Sequence, residues 1–119
     1  MHEGNPKSLL RDSGLVMETM IPSVAIRALA NDRRQQILRW LKDPTKHFPR
    51  QVAGDLVNDG VCGDLIARKL RVSQLTLSEH MKILCQACLT RPKRIGRRTF
   101  YKRDESGIRK FKKMILWKI

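Results

Sequence analysis

The stretch that most constrains the fold of this chain is VCGDLIARKLRVSQLTLSEHMKILCQ, Val61 to Gln86. Over about residues 62–70 the chain reads as a short helix, with Ile66 and Leu70 four apart on one side. Only Arg71 and Val72 separate it from Ser73. Ser73 is a good N-cap for a second helix over residues 74–87, because its hydroxyl can accept from a backbone N–H that the first turn leaves free. Around that helix, Leu77, Met81, Leu84 and Cys88 fall in one narrow stripe, the expected buried side, with Cys85 at its edge. A short helix, a tight turn and a capped second helix make a helix-turn-helix.

The polar side of the second helix is unusual in its chemistry. A helix that only has to be soluble more often carries Glu and Lys, yet this one starts with Ser73, Gln74, Thr76 and Ser78. Short hydroxyls and an amide are groups that touch something. The N-terminal turn of a recognition helix is what reaches base edges in the major groove of DNA. There Gln74 can pair with adenine through two bonds, and Thr76 and Ser78 are short enough to let the helix sit deep. An exposed Leu75 would meet a thymine methyl, and Glu79 would accept from cytosine N4 or repel wrong registers. Ser73 and Lys82 suit phosphate. His80 suits either a phosphate or a structural hydrogen bond.

After Leu89 the pattern turns from helical to alternating. TRPKRI and RRTFYKR flank Gly96, the natural turn of a hairpin over about residues 90–103. Pro92 lacks an N–H for a ladder, so its strand is an edge strand there. The charge is concentrated here. The whole chain carries a formal +14, but residues 1–60 hold nine Lys/Arg against seven Asp/Glu, whereas residues 61–119 hold sixteen against four. Arg91, Lys93, Arg94, Arg97, Arg98, Lys102 and Arg103 form the densest basic run and can neutralise phosphates, with Arg97 or Arg98 at the tip entering a minor groove. Phe100 and Tyr101 are expected to pack on the helices rather than stack on bases. The interleaved apolar residues also set this run apart from a disordered basic tail. Finally, ESGIRKFKKMILWKI reads as an amphipathic helix over about residues 105–117, with Ile108, Phe111, Met114 and Ile115 on its apolar face. Docking on a second copy of the chain would cover that face. The expected fold is mainly α with a small β-hairpin, a winged helix-turn-helix dimerising through terminal helices.

The rest of the chain is less explicit. Residues 8–20 read as a helix weakened by Gly14, and SVAIRALA as another short one. Asn31 or Asp32 can cap DRRQQILRWL, which Asp43-Pro44 stops. Residues 43–60 hold two prolines, two glycines and an Asn-Asp-Gly turn, a long connection with room for a short helical or strand piece around Gln51–Val57. At 119 residues the chain is expected to be one domain, with the helix-turn-helix at about 62–87. No apolar run is long enough for a membrane span, and the start has no secretory signal. Three cysteines are no disulfide framework and fit a reducing cytosol. With no Gly-rich phosphate loop, no triad, and histidines scattered at 2, 47 and 80, no enzyme and no cofactor are expected.

ALANDRRQQILRWL, VCGDLIARKLRVSQLTLSEHMKILCQACL and RRTFYKR together resemble the ArsR/SmtB family of bacterial winged-helix repressors, over roughly residues 24–115. The most specific part is the S-Q-x-T-x-S-x-H-x-K-x-L pattern from Ser73 to Leu84. The resemblance implies a homodimer on a palindromic operator of double-stranded DNA, in the bacterial cytoplasm at the nucleoid, released by an effector that the sequence does not name. The family often has Pro where this chain has Leu75, Gly where it has Cys88, and a shorter segment in place of 43–60. Its metal sites do not carry over. The thiolate pair falls on Cys62 and Asp64, and the terminal helix offers Glu105 but no His, so no metal is expected. Cys62, near a helix N-terminus, is the better candidate for a sensor thiol. Cys85 and Cys88, spaced as a redox pair or half a metal site, read first as core fillers. The competing reading is a winged helix that binds nucleic acid without sequence preference, or RNA. A further one has the basic hairpin and Glu79 meeting a protein partner.

Overall fold

The computed structural model describes residues 23–119, so the helix expected over residues 8–20 lies outside the described residues. Residues 23–29 form helix α1. Asn31 then caps α2 (Asp32–Lys42), its side chain accepting from the Arg34 N–H, while Asp32 opens the helix. Ile37, Leu38 and Leu41 turn into the core. At Asp43 the chain leaves α2, and Pro44 opens a separate one-turn helix, α3 (Pro44–His47), at a position where a missing N–H is tolerated.

Residues 43–60 depart from expectation. No helix or strand forms around Gln51–Val57, and the regular piece is α3, at the other end of the segment. Side chains hold the rest. The Gln51 amide donates to the Gly54 and Gly60 carbonyls, and its oxygen accepts from the Cys62 N–H. The Asp55 carboxylate accepts from the Val57 and Asn58 N–H groups. Backbone groups that a helix would pair internally are thus met by Gln and Asp.

Cys62 stands at the N-terminus of the next helix, as expected, but in a strand. That strand, β1 (Val61–Cys62), has two residues, and Cys62 caps α4 (Gly63–Leu70). Two residues carry no readable period, so nothing in the sequence announced this strand. Next come α5 (Gln74–Gln86), β2 (Thr90–Ile95), β3 (Arg98–Arg103) and α6 (Glu105–Lys118), the last capped by Asp104 accepting from Gly107. The antiparallel sheet has the order β1-β3-β2, which leaves Pro92 on an edge strand. Gly96 (φ 61°) and Arg97 make the two-residue hairpin loop, with glycine where the turn takes a positive φ. The chain is mainly α with a small sheet, a winged helix-turn-helix.

Both helices of the motif end the same way. Arg71 and Cys88 each take φ 60°, the left-handed conformation. After α4, Val72 N–H reaches Ala67 O at 3.0 Å and Arg71 N–H reaches Arg68 O at 3.2 Å; after α5, Leu89 reaches Leu84 at 3.0 Å and Cys88 reaches Cys85 at 3.0 Å. This pair of bonds is the Schellman arrangement, whose left-handed position favours glycine. It also explains why Cys88 is exposed and not in the buried stripe, which consists of Leu77, Met81 and Leu84. The helix ends at Gln86, and the left-handed residue turns away from the stripe's line. Cys88→Gly should remove a penalty of about 1–2 kcal/mol against a glycine entropy term of about 0.5–1 kcal/mol. The expected result is a gain of about 0.5–1 kcal/mol, read as a higher urea midpoint. An unchanged or lower midpoint would mean that the Cys88 side chain makes a contact of its own.

Candidate nucleic-acid interface

The capped turn of α5 presents its polar groups as a surface. Ser73 Oγ accepts from the Thr76 N–H at 3.1 Å and donates to Thr76 Oγ1 at 3.0 Å, so its hydroxyl is engaged in forming the helix start. Gln74, Ser78, Glu79 and Lys82 are exposed, Leu75 is 71% exposed, and Thr76 and His80 are half-buried on the flank. An isolated leucine side chain this open is unremarkable on its own. In the first turn of this helix it sits among the groups that would face a groove.

The hairpin converges on one side of that turn. A cleft of about 250 Å³ separates α5 from the hairpin tip, lined by Gln74, Ser78, Asp64, Arg97, Arg98 and Thr99 among others. Arg98 comes to 4.0 Å from Asp64 across it, with both side chains largely open to solvent. Such an exposed pair is weak and leaves the guanidinium available. Arg94 reaches Thr99 Oγ1 at 3.5 Å, and Arg91 is exposed on the edge strand.

Three of the seven basic residues of the hairpin are drawn elsewhere. Lys93 pairs with Asp59, and Lys102 Nζ donates to the Asn58 carbonyl at 3.2 Å. The Lys93 ammonium holds the Asp59 carboxyl below the usual range. Arg103 points back into the body. It grips Glu105 through two bonds of 2.8 and 3.2 Å, touches the Leu38 carbonyl at 3.4 Å, and keeps only 13% of its side chain exposed. That grip lowers the Glu105 pKa. Phe100 is buried beneath Gly54, where an added side chain would reach 3.0 Å from its ring, and Tyr101 is half-buried. Residues 48–60 thus back the hairpin. In sequence they looked like a connection, because the contacts joining them to it span 34 to 46 positions.

On the opposite flank the structure adds residues that sequence reasoning missed. Arg34 Nη1 meets His80 Nδ1 at 3.1 Å, and Arg33 is close enough for its charge to act on the ring. Both arginines come from the start of α2, forty-odd residues upstream, and no local pattern connects them to α5. Burial first, then the Arg34 and Arg33 charges, hold the imidazole below its ordinary value of 6.5, with Glu79 opposing. Between that lowered value and 6.5 the unfolded chain binds more protons, so stability rises with pH. The contribution is whole above about pH 6.5 and is lost as pH falls through the folded value. A urea midpoint lower at about pH 5.5 than at about pH 7.5 is expected, and a flatter dependence in Arg34→Met. Asp59 and Glu105, lowered from 3.8 and 4.5, titrate in a more acid range and leave this window alone.

The three thiols differ in burial. Cys62 is buried at the α4 start, Cys85 is half-buried against Thr90 Oγ1 at 3.2 Å, and Cys88 is exposed. Burial pushes the Cys85 thiol up, away from reactivity. The candidate sensor thiol Cys62 is 4% exposed, so little of it meets a solution reagent in the folded chain. Among the described residues no three His, Cys, Asp or Glu side chains are grouped to hold a metal ion. None of the described helices is long and apolar enough to cross a membrane.

No model of a known protein family matches the chain. A Bacillus subtilis (strain 168) protein, the uncharacterized HTH-type transcriptional regulator YbzH, is 44% identical over 91 residues, 76% of this chain and 91% of that protein. Among solved structures, HlyU from Vibrio cholerae N16961 superimposes with a TM-score of 0.56 at 23% identity, covering 83% of this chain and 89% of HlyU. The homodimeric winged helix-turn-helix DNA-binding domain of Mb0332 from Mycobacterium bovis, a possible ArsR-family regulator, gives 0.56 at 22% identity, covering 98% and 88%. At such identities the structures establish the fold, and the Bacillus relative establishes the kinship. The chain belongs to the HTH-type transcriptional regulators, and its fold is the winged helix-turn-helix.

Proposed function

We propose that the protein is a repressor that binds an inverted-repeat operator as a homodimer and carries out no catalytic step. The observation that carries this reading is the cleft in which Gln74 and Ser78 of α5 face Arg97 and Arg98 of the hairpin. A base-reading turn and a phosphate-neutralising tip then act on one duplex from one side. Gln74, Leu75, Ser78 and Glu79 supply base-edge contacts, with Thr76 at the edge of the helix. Lys82, Arg91, Arg94, Arg97 and Arg98 meet phosphate or the minor groove, and Arg33 extends this footprint on the far flank. Ser73 is chiefly the helix cap. Arg103 is left out of the DNA contacts, because its guanidinium is largely buried and held by Glu105; Lys93 and Lys102 have partners at Asp59 and Asn58 but stay exposed, and are secondary phosphate contacts.

Dimerisation is supported by α6. Ile108 is buried, but Phe111, Met114 and Ile115 on the same face are only half-covered, and the Mb0332 domain is homodimeric. Two copies would set two recognition helices about 34–36 Å apart, one turn of DNA. We place the protein in the cytoplasm, at the nucleoid. Fluorescence anisotropy with the duplex upstream of its own gene, against a shuffled duplex at about 0.15 M salt, tests the reading. A preference on the order of 1,000-fold or more is expected. Equal binding would instead favour a generic DNA or RNA binder, the reading that a net charge of +14 supports by itself.

A further inference from the structure

Arg34 is fixed at three points before it meets the recognition helix. Its Nε donates to the Ala28 carbonyl at 2.7 Å, its Nη2 to the Arg27 carbonyl at 3.3 Å, and its backbone N–H to Asn31 Oδ1 at 3.1 Å. Both carbonyls belong to the last turn of α1, so the guanidinium is anchored where α1 meets α2. That leaves Nη1, 3.1 Å from Nδ1 of His80. A guanidinium has donors only, so Nδ1 must accept, and the single proton of the neutral ring sits on Nε2. Among the described residues Nε2 has no partner, yet no buried side-chain N or O lacks one, so Nε2 lies at the surface. His80 is four residues on from Thr76, one turn along the same flank of α5.

We propose that Arg34 is a positioning residue that locks His80 as a neutral Nε2–H donor to a phosphate oxygen at the edge of the groove. The proposal rests on the DNA-binding reading and gives that site a contact of defined tautomer. The charged groups around the ring are Arg34 and Arg33 of α2 and Glu79 of α5. Two arginines against one glutamate, together with partial burial, disfavour the imidazolium, so His80 contributes a directed bond rather than a charge. A neutral donor fixes register without releasing a counterion of its own. Because the anchor lies at the α1–α2 junction, the orientation of this donor depends on where α1 ends.

Two measurements test this. Long-range ¹⁵N NMR of the free protein at about pH 7.5 should show His80 in the Nε2–H form, and Arg34→Met should move it toward a tautomer mixture with a raised pKa. Anisotropy with the protein's own upstream duplex should show about a three- to tenfold loss for Arg34→Met and for His80→Ala. The double variant should lose no more than the worse single one, and His80→Ala should leave the slope of log K against log salt unchanged. His80→Gln, which keeps an N–H near Nε2, should recover part of the loss. Urea midpoints of all variants check that each is folded. The proposal is overturned by an Nδ1–H tautomer in the wild-type protein, by losses that multiply in the double variant, or by a slope change of about 0.9 in His80→Ala. A wild-type protein that binds its own and the shuffled duplex alike overturns the functional reading, and the DNA contact of His80 with it. Selective binding without the coupling overturns only the role given to Arg34.

Discussion

Gly107→Ala should unseat α6. In a helix interior this exchange ordinarily stabilises by about 0.8–1 kcal/mol, since alanine is the better helix former. Here the sign is expected to reverse. A Cβ on Gly107 would overlap the carbonyl oxygen of Cys88 and stand 3.2 Å from its Cβ. The blocking atom is backbone, in the turn whose N–H groups reach back to Leu84 and Cys85, so it has little room to yield. The shift must then fall on α6, which carries Ile108 out of the core, where it is 7% exposed. Exposing an isoleucine forfeits about 1.5–3 kcal/mol, and overpacking alone runs to about 1–3 kcal/mol. A net loss of about 2 kcal/mol or more is expected in urea unfolding, with Ser106→Ala on the same helix close to neutral. Sedimentation should show the proposed dimer weakened as well, because Phe111, Met114 and Ile115 would no longer be held in place. A variant as stable as the parent would mean that α6 docks further from α5 than this contact implies.

That contact illustrates what the sequence made legible and what it did not. The second helix of the motif was readable because Leu77, Met81 and Leu84 repeat at helical spacing behind a capping Ser73. Alternation around Gly96 likewise marked the hairpin. Where the signal was local and periodic, it sufficed. Cys88 was misplaced because a stripe drawn on a helical wheel does not know where the helix stops, and the stop here is a left-handed cysteine where glycine is the usual cue. Strand β1 is illegible for a related reason: a single pair of residues leaves no period. Residues 48–60 had composition but no pattern, since Gln51 and Asp55 meet backbone groups that regular structure would have paired.

The hairpin charges show the same limit on the scale of the site. Seven basic residues in thirteen positions look equivalent in sequence. Their partners decide otherwise: Asp59 takes Lys93, the Asn58 carbonyl takes Lys102, and Glu105 takes Arg103, through contacts that, except for Glu105, are remote in the chain. The pairing with residues 48–60 also makes the back of the hairpin less cationic. Of the remaining cations, Arg97 and Arg98 line the α5 cleft with Gln74 and Ser78, whereas Arg91 lies near the base of the hairpin beside Asn58 and Asp59.

Separate signatures are expected from the two halves of that cleft. Gln74→Ala should weaken binding to the operator by about 5- to 150-fold, the 1–3 kcal/mol of one bidentate base pair. Binding to a shuffled duplex should barely change, and the salt slope should stay the same, because an amide displaces no counterion. Arg97→Ala with Arg98→Ala should do the reverse, lowering affinity for both duplexes and flattening the slope by about 1.8, two phosphates at about 0.9 each. Arg103→Ala supplies the contrast. Its guanidinium is 13% exposed and bound to Glu105, so the slope should hold while the urea midpoint falls. A titration of log K against log salt for these three proteins on both duplexes separates reading from neutralising. Loss of slope in Arg103→Ala, or an equal loss on both duplexes in Gln74→Ala, would mean that the DNA does not lie in the cleft between α5 and the hairpin tip.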